Sequence, residues 1–197
     1  ALVGEFQFSG GLTTAKLSKN IVDFVDTFDQ LDPGGIFVTN QKGSFTAFNA
    51  AFINDLTPLN STTPAFNPFL DLAVAPFGFP PFAAPDGKDI FTVTKIGDYG
   101  LKQSGDNVAI DLGFWGFFTS ATNDISKGAG NLTFQVNNTT VADVYKALYN
   151  DGKTLDVALS GAAFSTASVP EPASILGLGL VAGSLVASRR RKANQVS

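Results

Sequence analysis

The chain has 197 residues with no Cys and no His, which excludes a disulfide framework, a thiolate metal site and Ser-His-Asp catalysis. Its formal charge is −4, but four of its thirteen basic residues are Arg189, Arg190, Arg191 and Lys192, so everything before them carries nine basic against seventeen acidic residues, a net of −8. A basic tail on an acidic body is the pattern of a membrane-topology signal and speaks against a nucleic-acid partner, which would need a basic stripe on the folded domain.

The acids are fifteen Asp and only two Glu, Glu5 and Glu171. Asp favours turns and caps where Glu favours helix. With twenty Gly and ten Pro, the composition predicts short strands joined by many turns. Nineteen Phe beside a single Trp suit strands packed face to face. The absence of Met and the small residue Ala1 suggest a removed signal peptide before the first residue.

In chain order, Phe6 and Phe8 alternate with polar residues and predict a strand ending at Ser9-Gly10-Gly11. Residues 21–32 (IVDFVDTFDQLD) precede Pro33-Gly34-Gly35; strands follow at 36–39 and 44–53 around a turn from Asn40 to Gly43, with a short helix over 47–53 as the alternative. Seven of the ten prolines fall in 58–85 among Phe66, Phe69, Phe77, Phe79 and Phe82. Proline at that density predicts a long irregular loop packing its own rings onto the body. Strands are predicted at 90–97, at 107–120 (apolar on both faces) and at 131–137, where Leu132, Phe134 and Val136 share one face. Thr140 caps a short helix with Asp143 in the capping-box position and Val141, Val144, Tyr145 and Leu148 as its apolar stripe. A final strand covers 154–167. Together these predict a mainly β body, an antiparallel β-sandwich or jelly roll with one short helix, over residues 1–167.

The chain changes character at 168. Val169-Pro170-Glu171-Pro172 stiffens the backbone, residues 172–188 carry no charge, and Arg189-Arg190-Arg191-Lys192 follow at once. At about 1.5 Å per residue, the uncharged run spans roughly 25 Å as a helix, near the lower limit for crossing a bilayer. A C-terminal transmembrane helix is therefore expected, with the arginines inside and the body outside the cytoplasm.

This order of elements resembles the PEP-CTERM sorting signal: a Pro-Glu-Pro motif, a Gly/Leu-rich apolar segment and a basic cluster, here over residues 168–197. From Gly177 to Ser197 the tail looks like that of cyanobacterial members. Phe8-Ser9-Gly10, Val22-Asp23-Phe24 and Pro33-Gly34-Gly35 carry a weaker likeness between the body and a domain common among those proteins. The resemblance implies export, insertion into the lipid bilayer of the inner membrane, recognition by an exosortase-type membrane protease that cuts near Pro-Glu-Pro, and delivery to the envelope, surface or extracellular space. A C-terminal anchor that is never cut would present the same residues.

The body offers three candidate chemistries. Asp23, Asp26, Asp29 and Asp32 recur every third residue, and four carboxylates on a loop can bind calcium; a solvated edge strand protected by charge explains them equally. Asp98, Asp106 and Asp111, or Asp86 and Asp89, are candidate acid–base pairs for a secreted hydrolase. The run Phe114-Trp115-Gly116-Phe117-Phe118 holds the only Trp; exposed, it can stack on sugar rings, and buried it is core. The sequence supports, in this order, a surface or matrix structural or adhesion protein without catalytic activity or cofactor, a module binding extracellular polysaccharide through Trp115, and an Asp-dependent hydrolase. Self-association through strand edges and Phe-rich patches is the expected mode of the first.

Overall fold

The computed structural model describes residues 1–9, 13–26, 34–57, 66–74 and 85–168. Within them the strands are β1 (Gly4–Ser9), β2 (Thr13–Ser18), β3 (Ile21–Asp26), β4 (Gly34–Gly43), β5 (Ala50–Ile53), β6 (Phe66–Ala73), β7 (Ile90–Ile96), β8 (Gly100–Ser104), β9 (Asn107–Thr119), β10 (Ile125–Val136) and β11 (Leu155–Ser168), with one α-helix, α1 (Val141–Tyr145), continued by a π-helical turn at Lys146–Asn150. Strand β1 pairs with β4, and the ladder continues through β5, β6, β7, β9 and β10 to β11, which pairs with β1 again. The result is a closed antiparallel barrel of eight strands. The β2–β3 hairpin extends from β11, and β8 extends from β9.

The expected sandwich is thus corrected to a barrel. Inward–outward alternation along a strand is the same in both, so the pattern alone could not tell them apart. What decides is the length and bending of the strands. β9, β10 and β11 run 13, 12 and 14 residues. Register shifts occur at Glu5/Gln7, Phe66/Leu70, Val93/Lys95 and Thr133/Phe134. Each extra residue bends its strand and increases the local twist, which brings the two ends of the sheet together.

The interior is filled by phenylalanine. Phe6, Phe8, Phe91, Phe114, Phe118 and Phe164 are all buried. Phe6 and Phe164, paired across the closing seam, stack with centroids 4.7 Å apart and planes 5° from parallel. Phe91 and Phe118 lie 4.6 Å apart, and Phe114 and Phe164 5.1 Å apart. Space for these rings comes from inward-facing glycines of β10. A Cβ on Gly130 would sit 2.4 Å from the Phe114 ring, and one on Gly128 would sit 2.9 Å from Phe91. The sequence run NLTFQV, with Leu132 and Phe134 buried on the inner face, continues that same inner row.

Several local expectations change. Strands β2 and β8 were not foreseen; both lack aromatics, and β8 is exposed along most of its length while β2 alternates buried residues with exposed ones. The stretch 44–53 is neither one strand nor a helix over 47–53: a 3₁₀ turn at Ser44–Ala47 leads into β5. Part of the presumed proline loop is β6, a wall strand; Pro68 falls inside the Phe66/Leu70 register shift, where a missing N–H is tolerated. The rest of that loop, including Phe77, Phe79 and Phe82, lies outside the described residues. The helix is capped as predicted: the Asp143 amide donates to Thr140 Oγ1 at 3.2 Å, and the Thr140 hydroxyl donates to Asp143 Oδ2 at 2.7 Å. Among the described residues no helix is long and apolar enough to cross a membrane; the predicted transmembrane segment at 172–188 lies outside them.

Gly130→Ala should cost about 1–3 kcal/mol by overpacking against Phe114. Gly161→Ala, where a Cβ meets nothing within 4 Å, should stay within about 0.5 kcal/mol of wild type. Urea unfolding midpoints of the two variants check the difference.

Candidate functional site

Along β9 the even positions Val108, Ile110, Leu112, Phe114 and Phe118 point into the core. The odd positions therefore face out, and Trp115 is 45% exposed. Its strand neighbours on the outer face are Lys95 of β7 and Ala129 of β10. One step along, Phe117 is flanked by Thr92 and Lys127, and on the other side Gly113 pairs with Asn131. The six-membered ring of the indole lies beside two glycines: positions a Cβ would take on Gly113 and Gly97 are 3.7 and 3.8 Å from it. Lys95 Nζ stands 4.9 Å from the ring centroid, a cation–π contact worth about 0.5–1 kcal/mol at an exposed site. The Thr94 hydroxyl donates to the Trp115 carbonyl at 3.3 Å.

Beyond β10 the same outer wall becomes polar and small. A shallow groove there is lined by Gln7, Thr39, Asn131, Thr133 and Ser160 among others. A flat aromatic ring beside amides, hydroxyls and small residues can stack on one sugar and hydrogen-bond to the next.

The acidic candidates are dispersed. Asp23 and Asp26 lie on β3, the outer strand of its hairpin; Asp29 and Asp32 lie outside the described residues. Asp111 Oδ1 accepts from the Thr133 hydroxyl at 2.7 Å. Asp98 lies close enough to Tyr149 to help raise its pKa, after the larger effect of burial. Among the described residues no group of three or more carboxylates is arranged to hold a metal ion.

Asp86 and Asp89 do approach another acid, one that sequence reasoning passed over. Asp71 on β6 is 1% exposed, and its Oδ2 accepts from the Gly87 N–H at 2.8 Å. Burial raises its pKa above the usual carboxylate range, partly offset by the Gly87 N–H, with smaller upward contributions from Asp86 and Asp89. The signal was an Asp between two leucines, Leu70 and Leu72. Asp89 has its own task, accepting from the Ala121 N–H at 2.9 Å.

Strand β11 stays in the ladder to its end, where Ser168 pairs with Ser126 of β10. Ser168 is also the first residue of the tail, whose Val169, Pro170, Glu171, Pro172, Arg189, Arg190, Arg191 and Lys192 lie outside the described residues. A family model, the PEP-CTERM protein-sorting motif, matches residues 168–192. The chain carries a PEP-CTERM sorting motif. All eight of those residues fall within the match, and the basic cluster closes it at Lys192. The PEP-CTERM motif implies an exported protein processed by an exosortase, held to the membrane by its C-terminus before processing. No curated protein and no solved structure matches the chain.

The raised pKa of Asp71 sets a pH dependence. The folded state holds this proton to a higher pH than the unfolded chain does, so the group weakens the fold as pH rises through its folded pKa. Asp71→Asn removes that term while keeping an oxygen for the Gly87 N–H. Between pH 4 and pH 7 (about the unfolded carboxylate value upward), the stability of wild type relative to the variant should fall with rising pH. Paired denaturant titrations measure it.

Proposed function

We propose that this chain is an exported, exosortase-sorted surface or extracellular-matrix protein whose barrel acts by adhesion or structure rather than by catalysis. The observation that carries the reading is the sorting motif at 168–192 beginning on the last residue of the barrel. The Arg189–Lys192 cluster favours a body outside the cytoplasm, and the stretch Gly177 to Ser197 favours a cyanobacterial source.

Ring closure changes how such a protein would adhere. Edge-to-edge self-pairing has little to work with: β3 carries Asp23 and Asp26, and β8 has its Gln103 side chain bonded to the Val141 N–H and the Thr139 carbonyl. Among the described residues most Phe side chains are turned inward, Phe37 and Phe117 being outward. Adhesion through the outer wall is the reading this leaves, and the 45% exposure of Trp115 supports the second reading, a carbohydrate-binding module. The hydrolase reading is weaker, because Asp111 and Asp89 are engaged in structural hydrogen bonds.

Intact-mass measurement of protein taken from its native envelope should show loss of residues after the Pro-Glu-Pro region. Replacing Pro170, Glu171 and Pro172 together by Ala should leave the barrel folded and the tail uncut. Mature wild-type molecules that all retain Arg189–Lys192 would reduce the tail to a permanent anchor.

A further inference from the structure

Two lysines beside Trp115 make no ion pair among the described residues. Among the described residues, the side-chain ion pairs use Lys42, Lys88 and Lys153. Lys16, Lys19, Lys95, Lys102, Lys127 and Lys146 are left over, and of these Lys95 and Lys127 lie on the Trp115 face. Lys95 is the β7 neighbour of Trp115, and Lys127 is the β10 neighbour of Phe117. In a register where directly paired residues share a face, Lys95, Trp115, Phe117 and Lys127 form one oblique strip across three strands.

The charge of that strip is unlike the rest of the body, which nets −8 before the terminal basic cluster. The acids nearest to it are distant or engaged. Asp111 is four residues away along β9, about 13 Å at ordinary strand rise, and is bonded to Thr133. Glu5 is three strands away from Trp115, about 14 Å at ordinary strand spacing, and is paired with Lys42. Asp98 acts on Tyr149. Asp111 and Glu5 are beyond the Debye length of about 8 Å at physiological ionic strength, so the strip presents locally positive charge to anything that touches it.

We propose that this strip binds an anionic polysaccharide, with Trp115 stacking on a sugar ring and Lys95 and Lys127 pairing with its carboxylate or sulfate groups. The inference rests on the reading of the chain as a surface adhesion protein and names the ligand of that role. Each part of the geometry has a use. The glycines at 97 and 113 put no side chain of their own against the indole's six-membered ring. The Lys95 ammonium stands over the ring, 4.9 Å from its centroid, so a sugar that stacks there displaces it to the ring's edge, where it meets an acidic group of that sugar. Asn131, two outward positions beyond Lys127 on β10 and paired with Gly113, extends the face with an amide that hydrogen-bonds sugar hydroxyls. A neutral glycan would gain the stacking and leave both ammonium groups unmatched; a protein partner would be expected to cover Ile125, which is 54% exposed at the end of the same outer row.

Trp115 is the only Trp in the chain, so its emission reports on this face alone. Full-length protein in detergent is titrated with polygalacturonate, a carboxylated polysaccharide, and with neutral dextran. The expected result is a saturable emission change with polygalacturonate that weakens as salt rises, and at least tenfold weaker binding of dextran. The doubly substituted Lys95→Gln/Lys127→Gln protein should keep its melting temperature and bind polygalacturonate at least tenfold more weakly. Trp115→Ala should lose retardation in gels containing the polymer. Absence of a saturable change with either polymer, equal affinity for dextran, or unaltered binding by the lysine variant would each overturn the proposal. Tail processing is read by mass and does not depend on this titration, so failure here with a processed tail sinks the glycan face and leaves the sorting reading standing.

Discussion

The pairing of β1 with β11 is the contact on which the other features depend. It joins residues more than 150 positions apart, from Gly4↔Thr166 to Phe8↔Ala162. It converts a sheet with two open edges into a ring. The seam is held by more than its ladder: the Gly4 amide donates to Thr166 Oγ1 at 2.9 Å, and the buried Ser126 hydroxyl donates to the Leu2 carbonyl at 2.6 Å. The stacked pair Phe6–Phe164 sits directly behind it. A seam of this kind costs loop entropy before it repays anything, and burying rings on its inner side is what repays it.

From closure follows the division of labour between the two faces. A small barrel has an interior that side chains must fill, and here the filling is aromatic, with glycines of β10 giving the rings their room. Function therefore has to lie on the outer wall, at the rims or in the tail. The outer wall of β9 shows how the sequence arranges this. Phe114 and Phe118 go in while Trp115 and Phe117 go out, so one aromatic run serves the core and the surface together. The sequence reading had posed burial and exposure as alternatives for that run, and period-two geometry supplies both.

Closure also bears on solubility and on the route out of the cell. A protein with many apolar strands risks edge-to-edge aggregation, and the ring takes eight of the strands out of that risk. Strand β11 runs to Ser168 without leaving the ladder, so the same strand that seals the barrel hands the chain to the sorting motif. The body and its address are contiguous in sequence.

By itself the sequence determined what short-range rules govern. The capped helix at Thr140 followed from one hydroxyl and one carboxylate three residues apart, and β1, β7 and the 131–136 part of β10 followed from alternation along each strand. The tail was legible because its parts are ordered along the chain and need no fold to be recognised. The rest needed the tertiary structure, because it depends on residues far apart in sequence. Pro68 could stand in a wall strand only because a register shift received it. Asp71 could be buried only because Gly87, from the next strand's approach, supplied a donor. A barrel differs from a sandwich only in whether β1 finds β11, and no residue announces that choice locally. Lys95, Trp115 and Lys127, spread over 33 positions of sequence, became one surface only when three strands set them side by side.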